Sequence, residues 1–198
     1  SANAESPITF RKQLKKNAES LNLASISIGD MVMYAVSRVI QKYPEINATF
    51  QDNVIRKYTN VNLGFACDTP RGLMVPVVSA TESLTLNELA LAIKDKASHA
   101  KAGTIDPDSL QGGTFTISNL GSLGINSFTP ILNYPEVAIL GVNAIELKPV
   151  RKGSDIVYQD HLGLSLTINH QVIDGWQAGL FLKDLRFFIE NFNLLLAQ

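Results

Sequence analysis

Apolar residues recur along the chain with one of two periods, and the alternation between them lays out the elements. Ile28, Met31, Val32, Ala35, Val36, Val39, Ile40 and Tyr43 repeat at helical spacing, with Ser27 and Asp30 as the cap and Pro44 as the stop. A shorter, more polar helix is expected over Pro7 to Leu21. Beyond the strong helix the period changes to two. Thr49 to Tyr58 reads as two extended pieces about a turn at "QDN", followed by Val61 to Asp68 and by "RGLMVPVVSA" around Pro76. A third helix opens at Thr85, whose hydroxyl and Glu88 form a capping box, and it buries Leu86, Leu89, Ala90, Ile93, Ala97 and Ala100.

The second half repeats the contrast. "TFTIS" alternates, with Phe115 and Ile117 on one face and Thr114, Thr116 and Ser118 on the other, before "SNLG" turns the chain. Val137 to Ile145, "VAILGVNAI", is apolar almost throughout, as a strand covered on both faces must be. "RKGSD" is a hairpin turn into a returning strand that places Leu162, Leu164, Leu166, Ile168 and His170 on one face. Ala178, Phe181, Leu182, Leu185, Phe188, Ile189 and Phe192 mark the final helix. The pattern therefore predicts an α/β protein, a mixed sheet with helices packed against it.

Composition narrows the classes. The 198 residues are 45% hydrophobic and 18% charged and contain no internal Pro/Gly/Ser-rich linker, which fits a single packed domain. The first six residues, "SANAES", carry no pattern and read as a cloning remnant or the end of a linker, leaving 7–198 as the domain. A net charge of −1 gives no basic surface for nucleic acid, and "RKQLKK" reads as the solvated face of a helix. Cys67 is the only cysteine, so no intrachain disulfide forms. No apolar run approaches the length of a membrane span and no signal-peptide core opens the chain, so the expected location is the cytoplasm or an organellar matrix.

The chemistry gathers in "LTINHQVIDGW", where the last strand meets the last helix. His170 admits two readings: a core imidazole satisfied by a carbonyl, or a general base with one edge in the core and the other nitrogen in a crevice. Imidazole suits the second because its ordinary pKa, ~6.5, lies within about two units of a thiol's. Asp174 is likewise either the N-cap of the final helix or the support of His170, and Ser118 either a turn serine or a hydroxyl donor on the polar face of its strand. His99 and His161 have no ligand spacing to His170 and read as surface residues, and one cysteine cannot supply a zinc site.

Three segments in order carry a family resemblance that covers the chain from about Phe10 onward. "DTPRGLMVPVV", "GGTFTISNLGSLGINSFTPILNYPEVAILGV" and "NHQVIDG" resemble the dihydrolipoamide acyltransferases, the core components of 2-oxo acid dehydrogenase complexes, whose H-x-x-x-D-G motif is shared with chloramphenicol acetyltransferase. The resemblance implies a two-layer, chloramphenicol acetyltransferase-like fold, assembled as homotrimers that build a larger core serving the dehydrogenase and dihydrolipoyl dehydrogenase components. It implies acyl transfer between coenzyme A and a dihydrolipoamide, the lipoyl group being carried on a separate domain outside this chain. It implies His170 as catalytic base, Asp174 as its support, Ser118 as oxyanion donor, and Asn119, Ser27 and Asp68 as coenzyme A contacts, with Ser27 equally explained by capping. By the same resemblance the chain starts late, without the family's upstream arm and first strand. Gln171 stands where the family usually has arginine, and Trp176, where a small residue is usual, is expected to staple the helix start.

Overall fold

The computed structural model describes residues 1–197. In chain order the elements are β1 (Ala2–Asn3), α1 (Glu5–Asn17), α2 (Ile28–Val39), β2 (Ala48–Gln51), β3 (Val54–Lys57), β4 (Leu63–Phe65), β5 (Cys67–Thr69), β6 (Gly72–Met74), β7 (Val77–Val78), α3 (Leu86–Ala102), β8 (Phe115–Asn119), β9 (Ala138–Lys152), β10 (Asp155–Ile168), α4 (Gly175–Glu190) and α5 (Phe192–Leu195). Six strands form one sheet in the order β1-β10-β9-β8-β4-β7, and β2-β3 and β5-β6 are separate hairpins. The β8–β9 and β4–β8 pairs are parallel and the others in the sheet antiparallel, so the sheet is mixed, as expected.

Both capping boxes form. Ser27 and Asp30 close the start of α2, and Thr85 and Glu88 that of α3, each pairing side chain with backbone reciprocally and so satisfying two helix donors that would otherwise be unpaired. The helices bury their stripes against one face of the sheet: Phe115 of β8 lies edge-on to Phe181 of α4 at 5.9 Å, and Met31, Val32, Leu140 and Leu185 join the same cluster. Burial of this apolar area is the main stabilising term.

The first six residues do not lie outside the fold. Ala2 and Asn3 pair with Leu162 and His161, Ala2 and Ala4 are fully buried, and the Ala4 N–H donates to the Asp160 carbonyl at 2.8 Å. The sheet edge at β10 needs backbone partners, and small alanines fit against it where the sequence offers no periodic signal. Consequently α1 begins at Glu5, two residues before the expected start, and it ends at Asn17 rather than Leu21. The central apolar strand also runs on, to Lys152. Its first seven residues are buried, whereas the distal hairpin leaves Leu147, Ile156 and Tyr158 about two-thirds exposed at 65%, 68% and 68%.

The opposite face of the sheet is covered by the connection from β8 to β9. Gly141 of β9 lies under Phe128 and Pro130 of that connection so closely that a Cβ would stand 3.0 Å from the Phe128 ring. Just before β9 sits Glu136, 5% exposed: its Oε1 accepts from Asn133 Nδ2 at 3.2 Å, and its Oε2 has no partner. Burial raises the Glu136 carboxyl to about 7, against the opposing hydrogen bonds of Thr116 and Asn133.

An unfolded glutamate releases its proton near 4.3, so between that value and about 7 the folded chain holds a proton the unfolded chain has lost. Stability therefore falls as pH rises through this window, and the loss is complete above it, on the order of 4 kcal/mol. In chemical denaturation at about pH 5 and about pH 8, Glu136→Gln should remove this part of the slope. Equal slopes in both proteins would show that the carboxyl ionises freely in the folded chain.

Candidate functional site

The register of the sheet decides where the candidate residues stand. Ser118, half-buried on β8, pairs with Gly141 of β9, which pairs with Ser165 of β10. His170 follows five residues after Ser165. With strands about 4.8 Å apart and a rise of about 3.3 Å per residue, Ser118 and His170 of one chain lie on the order of 15–20 Å apart. One chain does not bring them together.

His170 also departs from its expected core-facing position. β10 ends at Ile168, and Asn169 then turns the chain: its Oδ1 accepts from the Gln171 N–H at 3.0 Å, and its carbonyl from the Val172 and Ile173 N–H groups. Such an asparagine turn competes with continuation of the ladder. It breaks the alternation after Ile168, so His170 is exposed in the turn, while Leu164, Leu166 and Ile168 pack on the core. Asp174 occupies the N-cap position of α4 with extended backbone, but its side chain makes no capping hydrogen bond and is exposed. Trp176 is 77% exposed, so it does not staple the helix start against the described residues.

Ser27 and Asn119, by contrast, converge. Asn119, at the end of β8, accepts the Gly121 N–H on Oδ1 at 2.9 Å, and a Cβ on Gly29 would lie 2.8 Å from its Nδ2. Only glycine at the second position of α2 permits this approach. The Ser27 hydroxyl is already engaged, donating to Asp30 Oδ2 at 2.8 Å and accepting from the Asp30 N–H at 3.1 Å. The two residues share a cavity of about 660 Å³ with Arg11, Gly29, Gly121 and Asn143. Asn143 is 4% exposed and its Oδ1 has no partner. Asp68 does not line this cavity and is exposed on β5.

The remaining histidines differ from each other. His99, on α3, pairs with Thr104 at 2.9 Å and stands 3.6 Å from Asp95, a surface arrangement. His161 is not an ordinary surface residue, because its Nε2 is buried without a partner. Sequence reasoning did not single out Gly29, Gly121, Asn143 or Glu136. Of these only Glu136 carried a signal, a lone acid between Pro135 and a continuous apolar strand.

The mixed sheet backed by helices has the fold of chloramphenicol acetyltransferase. The chain superimposes on chloramphenicol acetyltransferase with a TM-score of 0.57 at 18% identity, covering 88% of this chain and 82% of that one, a likeness of fold. The chain belongs to the 2-oxoacid dehydrogenase acyltransferase (catalytic domain) family, whose model matches residues 1–197. It is 40% identical over 183 residues to the dihydrolipoyllysine-residue acetyltransferase component of the acetoin cleaving system of Bacillus subtilis, covering 92% of this chain and 46% of that protein. It is 38% identical over 198 residues to the corresponding component of the pyruvate dehydrogenase complex of Acholeplasma laidlawii, covering 99% and 36%. The chain thus spans less than half the length of these relatives.

Among solved structures, the dihydrolipoamide acetyltransferase of Azotobacter vinelandii matches with a TM-score of 0.93 at 32% identity, covering 98% of this chain and 81% of that one. That enzyme was studied for the role of a serine, a histidine and an asparagine in its catalytic mechanism; the serine precedes the histidine by 52 residues and the asparagine follows it by 4. The cubic core of a pyruvate dehydrogenase multienzyme complex matches with the same TM-score and identity.

The missing cap bond at Asp174 has a measurable consequence. Asp174→Ala should cost less than about 0.5 kcal/mol in chemical denaturation, below the ~1 kcal/mol typical of losing a bonded cap. A loss of that full size would mean that the carboxylate caps α4 in solution.

Proposed function

We propose that the chain transfers an acyl group, with acetyl as the default, between a dihydrolipoamide thiol and coenzyme A. His170 is the general base, Asp174 its support and Ser118 the oxyanion donor. The observation that carries this reading is the spacing: Ser118, His170 and Asp174 stand at the same intervals as the serine, histidine and asparagine studied in the Azotobacter enzyme. Aspartate here takes the place of the asparagine.

The imidazole of His170 takes the proton of the attacking thiol, and the thiolate adds to the thioester carbonyl. Negative charge then develops on the carbonyl oxygen, to which the Ser118 hydroxyl donates a hydrogen bond. Collapse breaks the original C–S bond, and the leaving thiolate recovers the proton from the imidazolium. No metal and no covalent enzyme intermediate is needed, because thiol and thioester are close in energy on both sides.

The cavity at the start of α2 suits coenzyme A. Its size falls in the ordinary range of ligand pockets, free N–H groups at a helix N-terminus favour phosphate, and Arg11 lines the wall. Asn119 holds the near side, and Ser27, whose hydroxyl and N–H are both engaged with Asp30, lines the wall as the cap of α2. Asp68 does not line the cavity, and it enters only as a contact offered to a neighbouring copy.

The distance between Ser118 and His170 leads to a shared site, His170 of one copy facing Ser118 of the next in a trimer. The exposed apolar residues of the distal β9–β10 hairpin supply surface for such contacts. Within the full-length protein, such trimers would form the core to which dehydrogenase and dihydrolipoyl dehydrogenase components attach, and a lipoyl domain would deliver the thiol. No described helix is long and apolar enough to cross a membrane.

In an acetyl-CoA to dihydrolipoamide transfer assay, His170→Ala should lower turnover by roughly 10²–10⁴. Retention of near-normal rate in a folded variant would remove it from the mechanism. Ser118→Ala should lower turnover by roughly 10²–10³. When the two variants are denatured and reassembled together, each mixed trimer pairs one intact histidine with one intact serine, so about a third of its sites recover. Activity no higher than the mean of the parents would place both residues in a site made by one chain.

A further inference from the structure

Residues 130–137 tie three parts of the molecule together. The Thr167 hydroxyl donates to the Pro130 carbonyl at 2.7 Å, and the Phe50 N–H to the Pro135 carbonyl at 2.8 Å. At its far end the Asn169 N–H donates to the Val137 carbonyl at 2.7 Å. That is the last bond holding β10 before the chain turns out at His170. Side chains dock the same segment on β8. Asn133 Nδ2 donates both to the Thr116 hydroxyl and to Glu136 Oε1, each at 3.2 Å, and a Cβ on Gly113 would stand 2.5 Å from that Oε1. Glu136 also lines, with Asn169 and Gln171, a cavity of about 320 Å³ beneath the His170 turn.

We propose that Glu136 is a positioning residue for His170: while protonated it docks residues 130–137 on β8 and so fixes the turn that carries the histidine, and loss of its proton frees that turn. The catalytic half of this statement rests on His170 being the base; the mechanical half does not. The geometry explains the dependence on the proton. Oε2 is buried without a donor, and an anionic oxygen in such a place is far costlier than a neutral acid. The carboxyl must therefore keep its proton or move toward water, taking the segment with it.

No neighbouring charge offsets this. The titratable and charged groups on the packed elements are Asp52 in the β2–β3 turn, Arg56 of β3 opposite Thr49, Lys57 and Tyr58 beyond it, Tyr134 of the segment itself and His170, and none contributes to the rise of Glu136, which comes from burial. β8 presents no charged residue. The direction of that rise, to about 7, puts the change within the range of neutral solutions.

The test is hydrogen–deuterium exchange of the assembled protein, followed in peptides spanning 167–173 and corrected for intrinsic exchange, alongside steady-state acyl transfer. Between about pH 6 and about pH 8.5 these amides should lose protection about tenfold, following the ionised fraction of a group that titrates near 7. Glu136→Gln should keep the protection across the range. Glu136→Ala should lack it throughout while the α2 amides stay protected, which separates a freed turn from an unfolded chain. Protection in the parent that does not change with pH, or a Glu136→Gln protein that loses it as the parent does, overturns the proposal. The parent's kcat should fall over the same interval, and that of Glu136→Gln should not. A rate indifferent to the opening of the turn overturns the link to catalysis. Because His170→Ala reports on the base separately, failure here is distinguishable from failure of the histidine's role.

Discussion

The buried half of β9 is the constraint on which the rest depends. Seven consecutive residues, Ala138 to Ala144, lie out of reach of water, so their backbone groups must find partners within the protein. β8 supplies them on one edge and β10 on the other. The β10 edge is reached by a simple hairpin, but the parallel β8 edge requires a crossover. That crossover is the stretch between β8 and β9, and it lies over the sheet face the helices leave open. Gly141 permits its close approach, and Glu136 ends up buried where the crossover enters the strand.

The same register distributes the chemistry. Ser118 and Asn119 sit at the end of β8, one turned toward the crossover face and the other toward the start of α2, whereas His170 is carried past the opposite end of β10. The sheet thus separates the candidate donor from the candidate base by most of the length of a strand. A reaction needing both requires two chains, whereas the cavity beside Asn119 is lined by one. The proposed binding and the proposed chemistry therefore depend on assembly to different degrees.

Much of this was legible in the sequence. The two capping boxes, the alternating β8 and the buried β9 follow from local spacing, which the backbone obeys wherever one face must be buried. What stayed hidden turned on single contacts. Ala2 and Asn3 join the sheet because an edge needs partners, which no periodicity records. His170 leaves the face shared by Leu164, Leu166 and Ile168 because one amide, Asn169, bonds two residues ahead, a competition between turn and strand that spacing alone does not decide. Asp174 has the right type and position for a cap but makes no bond, and the pairing of Gly29 with Asn119 spans ninety residues of sequence.

The exposure of His170 has an evolutionary consequence. A side chain exposed in a turn contributes little to folding, so selection for a stable domain exerts little hold on it. Loss of the imidazole would leave the sheet, the crossover and the helices intact. A lineage under pressure only to keep an architectural core would shed this histidine early and could retain Glu136, Gly113 and Asn133 long afterwards, because those residues serve the crossover.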